Sequence, residues 1–134
     1  MPIAEDFASD SQGSRHWPEE IRLKREERVL EIRFEDGSLF RLPAEYLRVE
    51  SPSAEVQGHG PGQKQIVAGK SRVGITGVES VGNYAVKLLF DDGHDTGIFS
   101  WTYLYTLGSR QEEIWGTYLQ ALTGRGLSRD PHQR

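Results

Sequence analysis

The densest cluster of reactive side chains is Asp92-Gly93-His94-Asp95, an imidazole flanked by carboxylates. Such a group can hold a metal ion or act as a general base whose proton affinity the neighbouring acids raise. The same residues suit a solvated hairpin turn, because Asp-Gly supplies turn geometry for the backbone alone. A non-haem iron site would want His-x-Asp or His-x-Glu, and none of the 4 histidines has an acid two positions later. A second group, Gly58-His59-Gly60-Pro61-Gly62-Gln63-Lys64 with Gly69-Lys70-Ser71, has the composition of an anion loop. A phosphate loop needs a glycine five residues before its Gly-Lys pair; ahead of Gly69-Lys70 that position is Lys64. His59 and Lys64 are therefore expected to be exposed, with a looser anion site left open. Ser51 and Ser53 have no histidine or lysine nearby in a recognised arrangement, so serine catalysis is not expected. Tyr84, Trp101, Tyr103 and Tyr105 form an aromatic group that suits core packing or a partner surface.

The elements that must position these residues are spelled out twice. Leu30-Glu31-Ile32-Arg33-Phe34-Glu35-Asp36-Gly37 runs into Phe40-Arg41-Leu42 and Tyr46-Leu47, and 56 positions later Val86-Lys87-Leu88-Leu89-Phe90-Asp91-Asp92-Gly93 runs into Ile98-Phe99 and Tyr103-Leu104. Each copy reads as strand, Asp-Gly turn, strand and short helix. Ile21 and Leu23 precede the first copy as a strand, with a turn at Arg25-Glu26-Glu27-Arg28; Val73 and Ile75 precede the second, with a bulge at Gly77 and a turn at Gly82-Asn83. A long loop is expected from Ser51 to Gly62. Ser100 can cap a helix that stops at Gly108, and Ser109 with Glu112 has capping-box spacing for a last helix to about Leu122. Ile114, Trp115, Tyr118, Leu119 and Leu122 would share its apolar face. The fold class is α+β: two antiparallel three-stranded β-meanders with short helices and a C-terminal amphipathic helix packed on the sheet. Residues 1–16 and 123–134 are polar and expected to be flexible around a single domain over 17–122.

At 134 residues the chain has room for one domain with a real core. Its apolar runs are short, so no membrane span is expected. A formal charge of −4 argues against non-specific binding to nucleic acid. With no cysteine there is no thiolate nucleophile, no disulfide and no cysteine-ligated metal. The polar stretch from Met1 to Arg15 lacks a signal-peptide layout, which leads to an expected cytoplasmic location.

Phe34-Glu35-Asp36-Gly37, Leu42-Pro43-Ala44-Glu45-Tyr46-Leu47-Arg48, Ser51 to His59, Val78 to Tyr84 and Phe90 to Trp101 together resemble the gamma-butyrobetaine hydroxylase-like N-terminal domain family. The resemblance covers roughly Trp17 to Leu107. It implies a small domain of antiparallel sheets that precedes a catalytic jelly roll in the carnitine-pathway dioxygenases; in other members it stands alone or is joined to P-loop ATPases carrying iron-sulfur clusters. The jelly roll holds the iron and 2-oxoglutarate, so hydroxylase activity does not carry over to this chain. The dioxygenase branch holds a structural zinc through three cysteines and a histidine, which the resemblance aligns with Ser51, Ser53, Val56 and His94. Hydroxyls are poor zinc ligands at neutral pH and valine is none, so no tight zinc and no cofactor are expected.

The leading expectation is a non-catalytic accessory module that docks on a protein, with an iron-sulfur carrier P-loop ATPase as the implied partner. The alternative is a small-ligand or weak metal-binding domain at the seam between the two hairpin repeats. The candidate ligand or partner surface is His59, Lys64, Asp92, His94, Asp95, Trp101 and Tyr103. An independent enzyme is the least expected reading.

Overall fold

The structure is a computed structural model and describes residues 16–57 and 64–131. Strands β1 (Pro18–Lys24), β2 (Val29–Phe34) and β3 (Leu39–Pro43) form one antiparallel sheet in that order. Helices α1 (Ala44–Val49) and α2 (Ala54–Gln57) follow. Strands β4 (Ile75–Val81), β5 (Ala85–Phe90) and β6 (Ile98–Ser100) make the second sheet, and α3 (Trp101–Ser109) and α4 (Gln111–Gly124) complete the fold. The two meanders and the α+β class expected from the doubled pattern are both present.

Alternation decides the packing. In β2 the buried side chains are Leu30, Ile32 and Phe34, and in β5 Val86, Leu88 and Phe90 turn inward. These rows meet Leu42, Tyr46, Leu47, Phe99, Leu104 and Leu107 in one core between the sheets and helices. Burial of such side chains contributes about 1.5–3 kcal/mol each, which is what holds two short meanders together. The glycine bulge also forms: the β4–β5 register shifts between Ile75 and Gly77, and a Cβ at Gly77 would press on the Leu89 side chain. Pro43 precedes α1 in an extended conformation with φ −63° and ψ 146°.

Several local expectations change. The loop from Ser51 contains α2, and residues 58–63, with His59, lie outside the described residues. Ser100 caps α3 by accepting from Tyr103 N, as its position implied, but the Ser109 capping box is not formed. The cap residue of α4 is Arg110, and Ser109 Oγ donates back to Thr106 O at 3.4 Å. Helix α4 reaches the main core through Ile114 and Trp115, while Tyr118 and Leu122 close a second cluster with Val49. Leu119 is 36% exposed on this helix. The C-terminal segment read as flexible continues past α4 and docks: Gly69 N donates to Ser128 O at 2.9 Å and Ser71 N to Arg129 O at 3.0 Å. Backbone pairing needs no apolar side chain, which is why a polar stretch can dock unseen.

Candidate functional site

The turn after β5 and the segment after α1 meet where the two halves join. At this seam His94 Nε2 lies 3.0 Å from Ser51 Oγ and 3.4 Å from Ser53 Oγ. The histidine is placed by its turn: its backbone N–H donates to Asp92 Oδ1 at 3.1 Å, and its carbonyl accepts from Phe90 N at 3.0 Å. The imidazole packs at 5.9 Å against the Phe90 ring. Ser51 is fixed from the other side, its carbonyl accepting from Gln57 Nε2 at 2.8 Å. Gly97 is required there, because a Cβ at that position would overlap Ser51 Oγ.

Serine and histidine at 3.0 Å have the separation of a nucleophile and its base, an arrangement that reading the chain linearly dismissed. Burial decides what the pair does. Ser51 is 0% exposed and His94 is 6% exposed, so no substrate carbonyl can reach the hydroxyl in this conformation. The hydrogen bonds instead satisfy polar groups that folding has removed from water.

The zinc positions implied by the resemblance converge, but their chemistry does not suit a zinc ion. Ser51 and Ser53 present hydroxyls already bonded to the imidazole, and Val56 is buried with an apolar side chain. Among the described residues no group of three or more His, Asp or Glu side chains could hold a metal.

Asp92 is held by two cations. Its Oδ2 accepts from Arg48 Nε at 2.8 Å and from Lys70 Nζ at 2.6 Å. Burial pushes its carboxyl up, but Lys70, the His94 N–H and Arg48 outweigh that and hold its pKa at about 2. Arg48 Nη1 is buried with no acceptor among the described residues. Asp95 is exposed beside this cluster.

Lys64 and Tyr103 join a neighbouring group through Glu50. Lys64 Nζ lies 2.5 Å from the Glu50 carboxylate, and Tyr103 Oη donates to the Glu50 carbonyl at 2.5 Å. Burial and the Glu50 charge push the Tyr103 phenol up, so it stays a neutral donor. This group borders a cleft of about 410 Å³ between α3 and α4, whose walls include Ile66, Leu107 and Ile114. Trp101 Nε1 donates to Asn83 O at 2.9 Å, which pins the β4–β5 turn. Lys64 and Tyr103 are thus brought together through Glu50, and His94 meets Ser51 and Ser53; Trp101 and Asp95 stand apart.

Sequence reasoning missed Glu50, Arg48 and a larger cleft of about 870 Å³ lined by Glu45, Tyr46, Trp115 and Arg129, and it read Lys70 as part of an anion loop rather than as the partner of Asp92. Their partners are far away in the chain, so spacing carried no signal. Neither cleft is lined by Ser51 or His94.

A family model described as gamma-butyrobetaine hydroxylase-like, N-terminal, matches residues 21–105. Two proteins solved in solution by NMR are similar: one at 47% identity over 90% of this chain and 95% of its own, with a TM-score of 0.78, and another at 48% identity over 91% of both chains, with a TM-score of 0.77. A crystal structure at 1.93 Å of a DUF971-family protein of unknown function from Acidithiobacillus ferrooxidans ATCC 23270 shares 47% identity over 68% of this chain and 91% of its own, with a TM-score of 0.58. No curated protein matches the chain. Among the described residues no helix is long and apolar enough to cross a membrane.

Proposed function

Because the chain belongs to the gamma-butyrobetaine hydroxylase-like N-terminal family, we propose that it is a non-catalytic accessory module that binds another protein in the cytoplasm. The observation that carries this reading is the burial of Ser51 and His94: the one pair with nucleophile-and-base geometry noted above is enclosed and used to join the two halves. Polar groups committed to a structural seam leave recognition to the clefts and charged surface around α3 and α4. A carrier P-loop ATPase that handles iron-sulfur clusters is the partner class, supported by the domain attachments that the family resemblance implies.

Affinity capture of the tagged full chain from cell extract, followed by mass spectrometry, tests the assignment. Specific recovery of such an ATPase or a related iron-sulfur protein is expected; its consistent absence removes the support for this partner class. A small ligand bound near Lys64 and Tyr103 is the second reading, favoured by the 410 Å³ cleft beside them. Saturable binding of a metabolite there, lost on Lys64→Ala with an unchanged melting temperature, would favour it over the accessory module.

A further inference from the structure

The cleft of about 870 Å³ between the start of α1 and the α3–α4 junction is lined by Arg129, a cation supplied by the C-terminal segment of the chain itself. Arg129 Nε donates to Glu45 Oε2 at 2.8 Å and its Nη2 to Glu45 Oε1 at 2.7 Å, a two-pronged fork. The same guanidinium carbon lies 5.3 Å from the centroid of the Trp115 ring. That ring is oriented by Tyr46 at 6.0 Å and 85° and by Tyr118 at 5.1 Å. A carboxylate that accepts from both N–H groups of one guanidinium edge, with an aromatic face alongside, is arginine-recognition geometry; lysine cannot form the fork.

The two partners differ in burial. The Glu45 side chain is 8% exposed and that of Arg129 is 48% exposed, so the receptor is built into the fold while the occupant lies on its surface. Residues 125–127 and 129–131 are exposed, and the backbone bonds from Gly69 and Ser71 hold Ser128 and Arg129 in place. Around the guanidinium the cleft is acidic: Glu112 and Glu113 line it, and its other cation, Arg110, is paired with Glu113 at 2.6 Å. An anionic ligand would meet repulsion there, whereas a cationic segment would not.

We infer that the Glu45–Trp115 cleft is an arginine-recognition site, filled by Arg129 in the isolated chain and taken over by an arginine-bearing segment of a protein partner. The inference rests on the accessory-module reading and names the chemistry of its docking surface. The C-terminal segment then acts as an internal competitor that lowers apparent affinity by the fraction of time it occupies the site.

The test is an NMR titration of the Trp115 indole N–H, using N-acetyl-arginine-methylamide and its lysine counterpart as probes. In the full-length Arg129→Ala protein the arginine probe should give a saturable shift, with the lysine probe weaker by about tenfold or more. Wild type should require about tenfold more arginine probe, because Arg129 competes. Adding Glu45→Gln to Arg129→Ala should abolish the selectivity. If Arg129→Ala does not fold, Arg129→Lys, which keeps a charge and loses the fork, should show the same gain over wild type. An arginine probe that binds neither variant better than wild type, or no better than lysine, overturns the proposal. Failed affinity capture with a successful titration would count against the ATPase assignment and leave the arginine site standing.

Discussion

At the first Asp-Gly turn, Ser38 N donates to Asp36 Oδ1 at 2.8 Å and Phe34 N to Ser38 O at 2.8 Å; at the second, His94 N donates to Asp92 Oδ1 at 3.1 Å and Phe90 N to His94 O at 3.0 Å. Gly37 and Gly93 take the same left-handed φ, 92° and 91°. The likeness continues across the molecule. Tyr46 donates to Leu107 O at 2.7 Å, and Tyr103 to Glu50 O at 2.5 Å. Tyr105 donates to Asp36 Oδ2 at 2.6 Å, and Arg48 to Asp92 Oδ2 at 2.8 Å. Gly108 abuts Phe40, and Gly97 abuts Ser51. A separation of 57 positions relates Tyr46 to Tyr103, Glu50 to Leu107, Arg48 to Tyr105, Phe40 to Gly97 and Ser51 to Gly108. Each half therefore grips the other through equivalent positions, as subunits do across a twofold interface.

The difference lies in the side chains at those positions. The first junction is aromatic, with Phe34, Phe40 and Tyr105 packed edge to face. The second uses Ser51, Ser53, His94, Arg48 and Asp92. One framework thus supports both an aromatic joint and a polar joint, so polar groups at the second are no sign of catalysis by themselves.

His94→Ala breaks the comparison hardest. Removing a buried ring and leaving two serine hydroxyls without their imidazole should cost about 2–4 kcal/mol. The equivalent Ser38→Ala, which loses one part-buried hydrogen bond between Ser38 Oγ and Tyr105 Oη, should cost about 1 kcal/mol or less. Chemical denaturation of both variants checks this; an unchanged His94→Ala midpoint would return the imidazole to the ligand-binding reading.

Gly97→Ala and Gly108→Ala should each cost roughly 1–3 kcal/mol, since a Cβ at Gly97 overlaps the Ser51 hydroxyl and one at Gly108 overlaps the Phe40 ring. Ser51→Ala should recover part of the Gly97→Ala loss in a double-mutant cycle measured by thermal unfolding. Additive losses would show that the two positions do not press on each other.

Much of this was legible in the sequence, though unevenly. Alternation at Leu30, Ile32 and Phe34, the Asp-Gly turns and the Gly77 bulge are local, and their structure follows from adjacent residues. The reciprocal bonds are not local: Ser51 and His94 are 43 positions apart, and only the family resemblance had placed them together. Docking of Ser128 and Arg129 through backbone atoms and one ion pair left no hydrophobic pattern to read. The Ser109 capping box was a correct motif in the wrong setting, because α3 keeps Ser109 as its last residue and gives Arg110 the cap position of α4.

The tyrosine pair offers a finer test. Tyr46→Phe leaves the Leu107 carbonyl without its buried donor and should cost about 1–2 kcal/mol, more than Tyr103→Phe at its part-buried bond. Equal losses in thermal unfolding would mean the two locks are energetically equivalent despite their burial.

The last expected effect is electrostatic. The folded-state pKa of Asp92 is depressed to about 2, so its contribution is present above the ordinary carboxylate pKa and is lost as pH falls from about 4 towards 2. After discounting for solvent screening it amounts to about 1 kcal/mol. Asp92→Asn should be less stable than wild type at neutral pH, and the two should converge near the acid limit in urea unfolding curves. A constant difference across that range would remove the charge from the explanation.

Whether the polar joint is structural is tested most directly by following the His94 ring nitrogens by NMR as equimolar zinc is added to the full-length protein. The hydroxyl-bonded, enclosed imidazole is expected to show no saturable shift. A one-to-one shift of the His94 signal, accompanied by a zinc-dependent rise in melting temperature, would contradict it.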